Sequence, residues 1–423
     1  MARFTVSAEN YGYGPASKLE TISRNLIQRG HECHFVGSGV ALSFARSNPA
    51  SFSSIRQFDR FVDVSPEGTD AVISVMEPAL AVWAHAYDLP SVYVDSLYWM
   101  WNWDGIEPIA EHHLRELRRT TGPADALAYL GDVPMHTAQF MANCLSTITC
   151  AQMAGDRDCR RVPDHDVVHH VEGIVDLSQR ASVPRDMWLA STAGLTNPLM
   201  NDQRAAEWIY TVAELLMDAS DSAGTSAPIV LAGNPLHLRA MRSLPRRIEL
   251  RPLSHKDTLT TLNRAIGCLT PPGLTTVLES LAYDTPVLFL PEQHYGHHAN
   301  YARITGVDGP SEVFPDALVG TRKMRVASAD AMAETKELGA LLRECSMNRG
   351  AMWDDMVDSL ARGMRSAMRG EDLVSRQQQE LQRLAGGIDG VHQVVDAVET
   401  VLTARHRFAG VGAQSTLSAV SYI

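Results

Sequence analysis

TPPGLTTVLES, Thr270 to Ser280, is the stretch on which the reading of this chain turns. The apolar run Ala265–Leu269 leads into it and a helix-like run, Val277–Tyr283, leads out. An apolar run, then prolines and a glycine, then threonines, spells a strand, a sharp turn and a helix start. In an open parallel sheet, ligands bind beyond the C-terminal ends of the strands. A helix starting near Thr275 would present its unpaired backbone N–H groups and the positive end of its dipole there, which makes an anion site. Gly273 allows close backbone approach. Thr275 and Thr276 bring hydroxyls that either donate to an anion or cap the helix. Glu279 lies one turn further in, where a carboxylate can accept hydrogen bonds from a vicinal diol such as a ribose. These residues fit a diphosphate on the Gly273–Thr276 turn and a ribose on Glu279. Taken alone, they also spell an ordinary capped helix with an exposed glutamate.

Outward from this turn, strand-like and helix-like segments alternate. Phe4–Ser7 reads as a strand, Glu9–Pro15 as a loop, and Ser17–Arg29 as a helix with Leu19, Ile22, Leu26 and Ile27 on one face. Gly30 closes that helix. His34–Val36, Ala71–Val75 and Ser91–Val94 read as further strands, with a helix over Ala79–Tyr87. The βαβα order implies a parallel sheet covered by helices. The rhythm restarts near residue 187, with strands at Met187–Ala190, Pro228–Ala232, Ile248–Leu250, Ile266–Leu269 and Val287–Leu290. Val175–Pro184 is poor in apolar residues and reads as a linker, giving domains at 1–178 and 187–400. From Asp330 to about Leu402 the pattern is mostly helical, with a break at Gly386-Gly387. The expected fold is α/β, with two Rossmann-like domains facing across a cleft and helices at the C-terminal end.

The strand after the opening motif adds detail. The passage PPGLTTVLESLAYDTPVLFLPEQHYGHHANYARI, Pro271–Ile304, resembles the nucleotide-sugar site of GT-B glycosyltransferases. It looks most like the inverting antibiotic and macrolide glycosyltransferases and the N-acetylglucosaminyltransferase of lipid II synthesis. Gly273, Thr275, Thr276, Glu279 and Asn300 match those families, and Asp284-Thr285-Pro286 replaces their Gly-Val-Pro. There are departures. Pro272 stands where the families have His or Ser. Their sugar-binding Asp-Gln pair is missing, and the nearest polar groups are Glu292, Gln293, His294, His297 and His298. The resemblance implies a donor site of Gly194, Leu253, Gly273, Leu274, Thr275, Thr276, Glu279, Gln293, His294 and His297. Leu253 would read the base through its backbone and Gly194 would face the diphosphate. The histidines would suit a carboxylated sugar such as a uronic acid.

In the same families the loop after the first strand carries a histidine base. Here that loop is Asn10–Ser17; Pro15 matches, and Gly12 stands in place of the histidine. Inverting glycosyl transfer needs a group to take the acceptor proton and donors to stabilise the leaving diphosphate. Glu9, after the first strand, and Asp95, after Val92–Val94, are the candidate bases, with Asp104 third. Their alternatives are a loop acid bonded to its own backbone and a helix cap. Tyr11, Gly12 and Tyr13, with Trp99 and Trp101 from the aromatic run Tyr98–Trp103, are the candidate acceptor contacts. Aromatic rings stack on flat acceptors, nucleobases included, but equally serve core packing or a homodimer interface.

The bulk numbers set limits. At 423 residues, two or three domains are expected. A net charge of −12 argues against duplex nucleic acid as a partner. The six cysteines form no CxxC pair, and MARFTVSAEN lacks the apolar core of a signal peptide, so a cytoplasmic protein with reduced thiols is expected. No apolar run reaches the ~20 residues of a membrane span. His165, His169 and His170 alternate along a strand-like run near Asp164 and Asp166, which scatters them over two faces. Neither a metal nor any other cofactor is expected. The partners expected are a UDP-sugar donor and a small-molecule acceptor. A UDP-sugar 2-epimerase of the same layout, and a non-catalytic protein keeping only the fold, are the alternatives.

Overall fold

The structure, a computed structural model, describes residues 1–98, 103–152, 168–197, 199–233, 237–238, 245, 247–307, 309–320, 331–370 and 372–411. The first half runs β1 (Arg3–Ala8), α1 (Gly14–Gln28), β2 (Glu32–Gly37), α2 (Gly39–Ser47), β3 (Ser54–Gln57), β4 (Ala71–Val75) and α3 (Pro78–Ala86). It continues with β5 (Ser91–Asp95), α4 (Trp103–Leu117), α5 (Pro123–Gly131), α6 (Met135–Leu145), β6 (Ile148–Gln152) and β7 (Val168–Val171). The second half has β8 (Met187–Ser191), α7 (Asp202–Ala223), β9 (Ile229–Ala232), β10 (Ile248–Arg251), α8 (His255–Asn263), β11 (Ala265–Thr270), α9 (Leu274–Ala282) and β12 (Val287–Phe289). Five helices follow: α10 (Tyr295–Thr305), α11 (Ala331–Asn348), α12 (Ala351–Met368), α13 (Leu373–Ala385) and α14 (Gly390–Val411).

Each half holds a parallel sheet. The first has the order β3-β2-β1-β4-β5-β6-β7, the second β10-β9-β8-β11-β12. Strands buried on both faces read as continuous apolar runs, which is why Ala71–Val75 and Met187–Ser191 are buried at every position. The strand order reverses between β1 and β4 in one sheet and between β8 and β11 in the other. Such switch points open a crevice at the C-terminal strand ends. The loops leaving β1 and β8, and the turns leaving β4 and β11, therefore define where a ligand can sit.

Two details sharpen the sequence reading. Helix α9 starts at Leu274 with Gly273 as its N-cap and no side chain capping it, so Thr275 and Thr276 do not serve as caps. The last helix crosses back to the first half. Val391, Val394, Val395 and Val398 recur at helical spacing and join the core formed by Phe4, Val6, Ile73 and Val94. The second sheet has a core on each face, one with Trp188, Trp208 and Met356, the other with Leu189, Phe289 and Tyr301. Among the described residues, no helix is long and apolar enough to cross a membrane.

Candidate active site

The switch point of the second sheet brings together the turn after β8 and the turn after β11. The N–H groups of Leu274, Thr275 and Thr276 open helix α9 and have no acceptor among the described residues. That is the unpaired N-terminus expected from the sequence. A Cβ placed on Gly273 would meet only the Pro271 carbonyl oxygen, at 3.8 Å, so the space before the helix is open. Asn300 on α10 ties down this turn, its Nδ2 donating to the Pro272 carbonyl at 2.8 Å.

Beyond β12 lies a group of buried polar side chains. Among the described residues, neither the oxygen nor the nitrogen of the Gln293 amide has a hydrogen-bond partner, and the same holds for His294 Nδ1, His298 Nδ1 and Asn300 Oδ1. Buried polar atoms without partners cost on the order of 1–3 kcal/mol each, so several in one place call for an explanation. Gly194, after β8, sits against this group: a Cβ there would run into Gln293 Oε1 and stand 3.2 Å from the His297 ring. Gly194, Gln293 and His297 are thus neighbours, as the donor-site expectation requires. His297 Nδ1 accepts from the Gln293 backbone N–H at 3.1 Å. Burial pushes His294 down to about 4 and His297 well below the ordinary histidine value, the latter helped by His294 beside it. Both rings are neutral near pH 7, so they offer a sugar hydrogen bonds and not positive charge. Glu292 is taken up by the fold, accepting from the backbone N–H groups of Val319 and Gly320 at 2.8 and 2.9 Å.

Glu279 is buried and accepts from His255 Nε2 at 2.9 Å. His255 Nδ1 faces Glu20 of α1 at 3.1 Å, so the imidazole bridges the two halves. Burial alone would push this ring down, but Glu279 and Glu20 outweigh it and hold it at about 10. Glu20, His255 and Asp176 form a compact acid–histidine cluster. Arg24 already pairs with its two carboxylates, at 2.9 and 2.7 Å, and neutralises the charge a metal would need. Leu253 packs, partly buried, on the second core.

The switch point of the first sheet gathers Glu9, after β1, and Glu77, after β4. Glu9 is half-buried; desolvation, then Glu77 and Asp95, raise its carboxyl well above the ordinary carboxylate value. Gln139 Nε2 donates to Glu9 Oε1 at 3.4 Å and to the Met76 carbonyl at 3.1 Å. Tyr93 donates its hydroxyl to Gln139 Oε1. Burial raises Glu77 to about 7. Met76, between the strand end and Glu77, holds a φ of +58°, a left-handed conformation that costs a non-glycine residue about 1 kcal/mol or more. Asp95 is fully buried with both oxygens engaged, accepting from the Leu97 N–H at 2.8 Å and from Asn143 Nδ2 at 2.8 Å. Its bond to the Leu97 N–H closes a local backbone turn, where a helix cap was the expected alternative to a base. Lys18, on α1, donates to Ser96 Oγ at 2.8 Å; burial lowers it to about 7 against the pull of Glu279 and Asp95.

The two switch points face each other through the loop Asn10–Gly14. The Gly12 N–H donates to the Thr196 carbonyl at 2.9 Å, and a Cβ on Gly14 would stand 3.0 Å from Thr275 Oγ1. Tyr11 meets His294 edge-on, ring centroids 5.4 Å apart. Tyr13 instead leans on Phe44 in the first half. Trp99 and Trp101 lie outside the described residues, as does the side chain of Asp104. His169 and His170 sit on the exposed part of β7; His165, Asp164 and Asp166 are outside the described residues. Sequence reasoning missed Lys18, Glu20, Glu77 and His255 as parts of this site. Glu77 carried a usable signal, an acid directly after a strand at a switch point. Glu20 and His255 meet across the halves, and Lys18 meets Ser96, so none of the three is adjacent in sequence to its partner.

No family model matches the chain, and no curated protein matches it. Solved structures do. UDP-bound MnaA of S. aureus is similar over 95% of this chain and 97% of its own, at 11% identity and a TM-score of 0.52. A putative UDP-N-acetylglucosamine 2-epimerase from Listeria monocytogenes is similar over 99% and 100%, at 10% identity and a TM-score of 0.51. The spinosyn forosaminyltransferase SpnP is similar over 95% and 99%, at 14% identity and a TM-score of 0.49. At such identities the likeness establishes architecture: the chain has the two-domain GT-B fold.

Proposed function

We propose that this protein is a glycosyltransferase that moves a sugar from a UDP-sugar to a small acceptor, with inversion. The observation that carries the reading is the pair of facing switch points. One offers unpaired N–H groups and unpartnered buried amide and imidazole atoms. The other offers carboxyl groups with raised pKa. The diphosphate is held by the N–H groups of Leu274, Thr275 and Thr276, with Gly273 and Gly194 leaving it room. The same N–H groups, already oriented, stabilise the charge that develops on the departing diphosphate. Glu279, its orientation set by His255, accepts from the ribose hydroxyls, and the backbone at Leu253 meets the base. Gln293, His294 and His297 bind sugar hydroxyls.

On the acceptor side, Glu9 takes the proton as the acceptor attacks the anomeric carbon. A base with a pKa near the working pH is the efficient one, and desolvation together with the neighbouring acids Glu77 and Asp95 moves Glu9 upward. Asp95, with both oxygens occupied, positions the Ser96–Leu97 turn. A uronic acid as the donor sugar would find its counter-charge in Lys18, since His294 and His297 are neutral. Tyr11 and Gly12 flank the acceptor, and a heterocycle with N–H groups would suit the Glu9–Gln139 pair.

The acids at the first switch point also favour a second reading. Glu9, Glu77 and Lys18 supply acid–base groups that a sugar-nucleotide 2-epimerase needs, and MnaA and the Listeria 2-epimerase share this fold. One experiment separates the readings. UDP-glucose, UDP-N-acetylglucosamine and UDP-glucuronic acid are incubated with and without phenolic and N-heterocyclic acceptors, and the products are resolved by mass spectrometry and chromatography. A transferase releases UDP and a glycosylated acceptor only when acceptor is present, and E9Q lowers kcat by about 100-fold or more. An isomerised sugar nucleotide without acceptor would establish the epimerase instead. Binding without any turnover would leave a non-catalytic protein of this fold.

A further inference from the structure

Away from the cleft, helix α12 and its C-cap carry Arg362, Arg365 and Arg369 at i, i+3 and i+7, a spacing that places them on one face. Arg376 of α13 comes from across the gap, and together they line a concave pocket of about 570 Å³. The wall opposite α12 is the segment 310–315. Its next residue, Asp316, pairs in parallel with Phe289 on β12. The segment therefore runs beside the start of that strand, at the end of the sheet opposite the candidate active site. A Cβ on Gly363 would stand 2.8 Å from the Pro315 ring, so helix and wall are in close contact and the floor of the pocket is fixed.

Several arginines elsewhere pair with acids, as Arg264 does with Asp186 and Arg349 with Glu214 and Asp218. Arg362, Arg365 and Arg376 make no ion pair among the described residues; Arg365 donates to the Ser222 carbonyl at 2.8 Å and Arg376 to the Asp372 carbonyl at 3.4 Å. Cations near the end of α12 offset its dipole, which accounts for Arg365 and Arg369. It does not account for Arg362, further from that end, or for Arg376 on another helix. Like charges at this spacing oppose one another, in a chain whose net charge is −12. Ser311 Oγ already accepts from the Val313 and Phe314 N–H groups, at 3.1 and 3.2 Å, which leaves its own proton to donate. Glu312 is the carboxylate among the lining residues.

We propose that this pocket binds a small polyphosphate, a di- or triphosphate group, independently of the candidate active site. Guanidinium groups grip phosphate oxygens in pairs, so arginines from two helices match two or three linked phosphates better than one. The pocket volume falls within the roughly 300–1,000 Å³ of small-molecule sites.

Calorimetry with inorganic pyrophosphate, on protein saturated with UDP, tests the proposal. Saturable binding is expected, weakened at least about tenfold in the R362A/R376A double variant, with UDP affinity equal in both proteins. No pyrophosphate binding by the native protein, or equal binding by both proteins, would overturn it. Flotation with phosphatidylcholine vesicles, with and without phosphatidylglycerol, is the second arm. Flotation that needs these arginines, without pyrophosphate binding, would give the pocket to a lipid headgroup and also overturn the proposal. If UDP itself does not bind, the donor-site reading fails, and the same double variant still decides this one.

Discussion

Gln293 is a residue where stability and binding pull apart. The residue is 2% exposed and its amide has no hydrogen-bond partner among the described residues, so it carries its desolvation cost. Gln293→Leu removes that cost at similar volume. It should leave the protein as stable or raise stability by about 1 kcal/mol, while weakening UDP-sugar binding roughly tenfold. Thermal unfolding and calorimetry on one preparation check both, and unchanged affinity would take Gln293 out of the site. Glu77 makes a comparable case through pH. Its folded value of about 7 lies above the ordinary 4.5, so the folded chain binds the extra proton and stability falls as pH rises through that window. Glu77→Gln should change nothing at pH 4 and stabilise above pH 7 by on the order of 1–3 kcal/mol, read from denaturant midpoints across pH. Gln293 could be named as a candidate donor contact because it follows a strand where the resembled families place their sugar-binding pair. Lys18 could not, because it sits among polar neighbours of α1 and its partner Ser96 lies far away in the chain.

At the scale of elements, the strand–turn–helix at residues 265–282 could be read because each local signal agrees: apolar strand, proline–glycine turn, helix start. The structure decides one open alternative, the cap. The threonines could either cap the helix or donate to an anion; Gly273 takes the N-cap position, and the first N–H groups have no acceptor among the described residues. Helix α14 shows the opposite limit. Its valine stripe announces a buried face, but a stripe does not say which sheet it covers, and pairing over several hundred residues is invisible to periodicity. Val394 and Val398 are fully buried in the first core. Replacing both with alanine should cost about 2–4 kcal/mol. Hydrogen exchange should show lost protection in β4, β5 and β6 and not in β8 and β9. Equal loss in both sheets would mean that the halves unfold as one unit.

At the scale of the whole molecule, the question is what holds the halves together over the cleft. His255 is buried between Glu20 of the first half and Glu279 of the second, at 3.1 and 2.9 Å. The sequence hid this, since a histidine after a serine cap reads as ordinary helix punctuation and both acids lie far away in the chain. The folded value of about 10 lies above the ordinary 6.5. The bridge therefore contributes fully below about pH 6.5, weakens above it, and is lost as pH rises through about 10. His255→Gln keeps a hydrogen-bonding side chain but deletes the cation between two buried carboxylates. Breaking a buried pair in this way costs about 3–5 kcal/mol, because the partners are left uncompensated. The variant should unfold earlier than the native protein at pH 6 and converge with it above pH 10. Small-angle scattering at pH 7 should show a larger radius of gyration, as the halves separate. Since Glu279 is also the proposed ribose contact, the same substitution should weaken UDP binding. A variant that stays compact and stable but binds UDP poorly would make His255 a ligand-positioning residue alone, whereas one that opens yet binds UDP normally would remove Glu279 from the ribose site.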